Sequence, residues 1–160
     1  MYFHNDPLQL KGSISLNERI NLLKKTKKII FISKWVKNRF TKGINKKYLL
    51  KYKFDIIHHS TNKKKVDFKN KEKIILFVGR LNKSKGYDIF GKVLLNILKK
   101  FPDWRSVVIG DEPRESLIFK HKNLIILGFK KYNIVSKWFL KSDICVVCSR
   151  WEEPFGRTSL

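Results

Sequence analysis

The sequence predicts an α/β fold built on parallel sheets, and three observations carry that reading. Six short runs are apolar and β-branched throughout rather than alternating, the pattern of strands buried on both faces: KIIFIS (28–33), FDIIH (54–58), KIILFVG (73–79), SVVIG (106–110), NLIILG (123–128) and DICVVCS (143–149). Longer segments with apolar residues at helical spacing lie between them. The two kinds of segment alternate, as in βαβ units that cover a sheet on both sides.

In chain order, NERINLLKKT (17–26) follows a leucine-containing turn and reads as a helix. The strand at 28–33 leads into SKWVKNRFTKG, where Ser33 suits an N-cap and Gly43 a stop. After the strand at 54–58, residues 60–72 (STNKKKVDFKNKE) are polar and without period. They separate a first part with two strands from a second with four. Two strands are too few for a stable sheet, so the first part reads as the end of a domain that begins earlier. In YDIFGKVLLNILKKF (87–101), Phe90, Val93, Leu94, Ile97, Leu98 and Phe101 form the expected buried stripe. YNIVSKWFLK (132–141) repeats the pattern with Ile134, Val135, Trp138 and Phe139. The strand at 143–149 is expected to be buried, with Cys145 and Cys148 on opposite faces, unable to share a metal or pair easily. The second part stops on a strand and loop, and both ends of the chain read as truncated.

The net charge of +23 invites phosphate or anionic-lipid partners. A compositional cause competes: 29 of the 36 basic residues are lysine, isoleucine occurs 18 times and alanine never, the bias of an AT-rich coding sequence. The lysines are spread along the chain and most aromatics keep core spacing, which opposes a nucleic-acid-binding surface. No run of 18 apolar residues predicts a membrane span, and MYFHNDPLQL lacks the layout of a signal peptide. Two cysteines without such a signal suit a reducing cytoplasm. His58 and His59 have no third ligand nearby and do not read as a metal site.

The sharpest motif is LFVGRLNKSKGYD (76–88). A strand runs into Gly79 and Arg80, a polar loop follows, and Lys85-Gly86 opens the long helix. Ligands of such sheets sit outside the carboxyl ends of the strands, where an arginine fork and a lysine point charge can close on a diphosphate from two sides. The helix N-terminus adds its own positive end. An ordinary loop with two solvated bases has the same composition. Neither GxxxxGK[ST] nor GxGxxG occurs. In EEPFGRTSL (152–160), Pro154 and Gly156 make a tight turn that lets backbone amides approach an anion. Glu153 beside it can grip ligand hydroxyls or can be a solvated acid. His4 in FHNDP is either catalytic or a loop cap, and Asp111 and Glu112 in VVIGDEP are rim residues or without role.

Taken together, FVGRLNKSKGYD, VVIGDEP, NLIILGF and CSRWEEPFGRTSL resemble, in order and spacing, the retaining glycosyltransferases of family 4 (glycosyl transferases group 1). These are two-domain GT-B enzymes with Rossmann-like parallel sheets. The resemblance spans almost the whole chain, most strongly 73–160. It implies that 1–62 is the C-terminal part of an acceptor-side domain, 63–72 a linker, and 73–160 an incomplete donor-binding domain. It also implies that Arg80 and Lys85 grip the donor diphosphate, with Gly79 allowing close approach. By the same resemblance, Glu153 contacts the donor sugar, and Phe155, Gly156 and Arg157 lie where amides reach the sugar and distal phosphate. Gly128 and Phe129 fall at the base-binding wall, and His4 near the acceptor. The family's second glutamate would fall one place after Leu160.

The implied function is transfer of a sugar from a nucleotide-sugar to a saccharide or lipid-linked acceptor with retention. Cell-envelope polysaccharide or lipopolysaccharide synthesis is the implied setting, in the cytoplasm or peripherally on the anionic inner face of the membrane. No metal, cofactor or nucleic-acid partner is implied. The alternatives are a non-catalytic sugar-phosphate binder and a basic nucleic-acid-binding protein.

Overall fold

The computed structural model describes every residue except Asn62, Lys63, Lys64, Val66, Arg157, Ser159 and Leu160. Three positions of the expected 63–72 linker, and the Arg157 assignment, therefore lie outside the described residues. The chain divides into two units, one of Met1–Asn62 with Glu153–Thr158, the other of Lys63–Glu152.

In the first unit, three parallel strands lie in the order β1 (Tyr2–Phe3), β2 (Lys28–Phe31), β3 (Lys53–Ile56). The sequence reading has two strands here. β1 is the addition, pairing Phe3 with Phe31 over a length too short to show a period. Helix α1 (Leu16–Lys25) starts at a reciprocal cap in which the Ser15 hydroxyl accepts from the Glu18 amide and the Glu18 carboxylate accepts from the Ser15 amide. Ser33 caps α2 (Lys34–Thr41) as expected, accepting from the Val36 amide, and a short helix α3 (Lys46–Leu49) leads to β3. Phe3, Phe31 and Phe40 pack ring to ring at 5.0–5.9 Å around Leu23, Ile29 and Val36.

A charged tie holds the loop after β1. Asp6, 4% exposed, takes two hydrogen bonds from Arg39 (3.1 and 2.6 Å) and one from the Leu8 amide (3.0 Å). Burial pushes its carboxyl upward, but those bonds outweigh it and leave the pKa below the usual carboxylate range.

The second unit is also parallel, ordered β6 (Leu124–Ile126), β5 (Arg105–Ile109), β4 (Glu72–Val78), β7 (Ser142–Val146). β4 is central and buries Ile74, Ile75, Leu76 and Phe77 in succession. Ile75 and Phe77 meet helix α4 (Tyr87–Lys100), while Ile74 and Leu76 share the opposite face with Val135, Trp138 and Phe139 of helix α5 (Tyr132–Lys141). This explains why the strand reads as a continuous apolar run.

Three expectations are corrected. The buried stripe of α4 runs through Tyr87, Phe90, Gly91, Leu94 and Leu98, leaving Val93 and Phe101 about half exposed. The helix is turned so that Gly91 receives the Phe119 ring, where a Cβ would lie 2.2 Å from it. Ile134 also leaves the stripe of α5, being 39% exposed. β6 and β7 are the edge strands of this sheet, not buried ones, so Ile125, Ile126, Ile144 and Cys145 are exposed. Cys148 lies beyond the strand with its Sγ toward the Gly86 carbonyl (3.3 Å), and both thiols are free.

Candidate functional site

In the second unit the candidate residues gather where β4, β5 and β6 end. Gly79, Gly110 and Gly128 follow these strands in adjacent positions, and backbone bonds continue the ladder through them. The Gly79 amide donates to the Ile109 carbonyl and the Gly110 amide to the Gly128 carbonyl, both at 3.0 Å. Gly110 has φ +142°, and a Cβ there would lie 1.8 Å from the Gly79 oxygen, so only glycine allows the approach. The result is a strip of bare backbone at the place where ligands of such sheets bind.

Arg80 and Lys85 rise from the loop behind this strip. Asn82, buried, shapes the loop from within: its Oδ1 accepts from the Ser84 hydroxyl (2.9 Å) and the Lys85 amide (3.0 Å), capping a single 3₁₀ turn at Lys83–Lys85. Gly86, at φ +73°, hands that turn to α4, and a Cβ on it would meet the Cys148 carbonyl at 2.0 Å. From the other side, the Arg150 and Trp151 amides donate to the Ser84 carbonyl (2.9 and 3.2 Å), and Arg150 pairs with Asp88. That pairing lowers the Asp88 carboxyl pKa. The Arg80 side chain is 59% exposed; Lys85 is half-buried. Phe129, 72% exposed, stands next to Gly128.

Glu112 is the residue that the sequence reading leaves open and the structure fills in. Its carboxylate is buried under polar groups. Arg114 donates to it twice (2.7 and 3.0 Å), Asn82 Nδ2 donates at 3.3 Å, and Arg80 Nη1 stands at 3.8 Å. Arg114 foremost holds its pKa down to about 2. Glu115 accepts from the Lys83 amide at 3.1 Å. The loop after β5 thus clasps the loop that carries Arg80 and Lys85. The only signal in sequence is an Arg two residues after the acid.

In the first unit, His4, Glu153, Phe155 and Gly156 belong to one neighbourhood at the carboxyl ends of β1–β3. The His4 ring stands edge-on to Tyr2 (centroids 4.1 Å) and stacks on His59 (5.5 Å, 22°). Tyr2 donates its hydroxyl to the Ile57 carbonyl at 2.7 Å. Phe155 stacks on His58 (5.4 Å, 24°) and meets His59 edge-on (5.6 Å). His58 Nδ1–H donates to the Ile32 carbonyl, and the Ser33 hydroxyl donates to the Pro154 carbonyl at 2.6 Å. Glu153 is half-buried beside this turn, and Gly156 has φ +71°. Among the described residues no group of three or more His, Cys, Asp and Glu is spaced to hold a metal, and no helix is long and apolar enough to cross a membrane.

The chain is 34% identical over 99 residues to spore coat protein SA of Bacillus subtilis (strain 168), a match covering 54% of this chain and 26% of that protein. It is 36% identical over 91 residues to an uncharacterised 42.6 kDa protein in the cps region of Klebsiella pneumoniae, covering 54% of this chain and 22% of that one. The chain thus spans about a quarter of the length of the curated relatives it matches. The crystal structure of Anabaena Alr3699/HepE in complex with UDP and glucose superposes with a TM-score of 0.62 at 15% identity, over 98% of this chain and 47% of that one. The fold is therefore the α/β, parallel-sheet architecture of GT-B glycosyltransferases. Residues 59–160 match the family Glycosyl transferases group 1, and the chain belongs to that family.

Proposed function

We propose that this chain supplies the diphosphate-binding machinery of a retaining, family 4 glycosyltransferase that moves a hexose from a nucleotide-sugar to a saccharide or lipid-linked acceptor. The observation that carries the reading is the placing of two cations, Arg80 and Lys85, on one loop at the carboxyl end of the central strand β4, beside bare glycine backbone. In such a transfer the nucleoside diphosphate leaves with growing negative charge while the sugar carbon becomes oxocarbenium-like. A guanidinium and an ammonium fixed beside the departing phosphates stabilise that charge in the transition state more than in the bound donor. Two such cations do this without a metal ion, so the reaction is proposed to need none.

By the family resemblance, Glu153 accepts from the donor sugar's hydroxyls, the amides of Phe155 and Gly156 approach the sugar and distal phosphate, and Gly128 with Phe129 lines the base. His4 serves the acceptor side. The setting is proposed to be cell-envelope polysaccharide or lipopolysaccharide synthesis, which suits relatives from a spore coat and a cps region. The enzyme is proposed to work in the cytoplasm, its lysines drawing it to the anionic inner face of the membrane.

The test is transfer from a panel of nucleotide-sugars by the full-length protein carrying Arg80→Ala or Lys85→Ala. Loss of one such donor costs roughly 3–4 kcal/mol of barrier, so each variant is expected to turn over at least about a hundredfold more slowly. Turnover like the wild type in either variant overturns the assignment.

A further inference from the structure

We propose that Glu112 is a positioning residue for Arg80, and that Arg114 acts as its counterion so that the charge of Arg80 stays available to a diphosphate. This rests on the reading of Arg80 given above and adds the device that holds it.

The distribution of exposure is the first argument. The carboxylate is the buried member, with its side chain 4% exposed, while the side chains of Arg80 and Arg114 are 59% and 77% exposed. A buried carboxylate is costly unless its lone pairs are filled. Here Arg114 fills one oxygen through Nε and the other through Nη2, the two-point fork that guanidinium makes best. Arg80 approaches the second oxygen only to 3.8 Å, beyond hydrogen-bond range. The carboxylate therefore orients Arg80 by attraction, while its charge is answered chiefly by Arg114.

The second argument is the reach of the same carboxylate into the loop. Asn82 donates its side-chain N–H to Glu112 and accepts through its amide oxygen from the Lys85 backbone N–H. One buried acid thus steadies both the side chain of Arg80 and the turn that bears Lys85. Preorganisation of this kind leaves little reordering to be done when the anion arrives.

The consequence is directional. If Arg114 is removed, Arg80 is, among the described residues, the cation left beside the carboxylate, which draws it away from the ligand. Arg114 then supports diphosphate binding without touching it, and only through Glu112.

The test is binding of inorganic pyrophosphate to the full-length protein, by calorimetry at physiological ionic strength, in a double-mutant cycle. Arg114→Ala is expected to weaken binding about tenfold, while Glu112→Gln, which keeps shape and loses charge, weakens it about threefold. In the double variant the loss of Arg114 has no further effect, because nothing remains to capture Arg80. Equal losses from Arg114→Ala in both backgrounds overturn the inference. Arg80→Ala separates this from failure of the functional reading: pyrophosphate binding unchanged in that variant removes the role of Arg80, and the role of Glu112 with it. Should Glu112→Gln not fold, Arg114→Lys carries the test. It keeps a cation on the carboxylate but not the two-point fork, so it is expected to weaken binding clearly less than Arg114→Ala, and a loss equal to that of Arg114→Ala overturns the inference.

Discussion

Past the carboxyl ends of β1–β3 the chain gathers rings, whereas past the ends of β4–β6 it gathers glycines and charges. The first set is held by stacking and by hydrogen bonds from Tyr2, His58 and Ser33 to main-chain carbonyls. The second is held by close backbone approach and by a buried acid under two guanidinium groups. The same topological place thus carries two chemistries. The difference teaches how each end should fail: the charged end sharply, by steric or ionic insult, and the ring end gradually, as faces are removed.

The largest effect is expected at Gly110. In Gly110→Ala the new methyl would overlap the Gly79 oxygen at a φ that side chains rarely adopt. The cost is on the order of 3 kcal/mol or more, read as a fall in the thermal midpoint. Because the displaced carbonyl adjoins Arg80, pyrophosphate affinity should fall with it. An unchanged midpoint would mean that the two strand ends do not approach as described, and the contrast between the two ends would lose its steric half.

Acid distinguishes the ends next. The Glu112 carboxyl is depressed from an ordinary 4.5 to about 2. A depressed carboxyl contributes stability that is fully present above its unfolded value and lost as pH falls through its folded value. Its share should therefore hold at pH 5 and fade progressively toward pH 2. Glu112→Gln, which cannot titrate, should flatten that part of the acid limb when urea midpoints are compared between pH 5 and pH 2. Parallel limbs in the two proteins would show that the carboxylate gains nothing from Arg114 on folding. Asp6 with Arg39 acts in the same direction in the first unit, so the difference between variants, not the limb itself, is the measurement.

How far these features were legible depends on how local their causes are. The central strands β4 and β5 can be read because burial on both faces leaves an uninterrupted apolar run, as in Ile74–Phe77. The same logic misleads at the edge strands β6 and β7, since an apolar run does not say whether a neighbouring strand lies beside it. β1, two residues long, had no period to show, although the serine and glutamate of the Ser15 cap were in plain sight. On α4, Val93 and Phe101 fit the spacing as well as Tyr87 does. Which of them is buried is set by packing from distant parts of the chain, Phe119 against Gly91 and Ile75 and Phe77 of β4 against the helix. Arg80 and Lys85 stood out because strand ends are where such sheets bind ligands. Glu112 did not, because an acid in a loop looks the same exposed or buried, and Asn82, which helps bury it, is 30 residues away. The His4–His59 stack has the same origin: the pairing of β1 and β3 with β2 brings its members together across 55 positions.

The smallest effect is expected at that stack, and it tests whether the ring end is held by faces rather than charge. His4 presents its face to His59 and stands edge-on to Tyr2. An aromatic pair is worth about 0.5–1.5 kcal/mol beyond its buried area, so His4→Ala should cost about 1 kcal/mol, while His4→Phe, which keeps a ring, should cost little. Neither difference should move with salt, because stacking is not screened, whereas exposed ionic contacts weaken within a Debye length. A Phe variant as damaged as the Ala variant would mean that the imidazole nitrogens of His4, not its face, hold the neighbourhood together. The first unit would then be a polar site like the second, and His4 would have to be reconsidered as one member of a hydrogen-bonded pair rather than a ring seated between Tyr2 and His59.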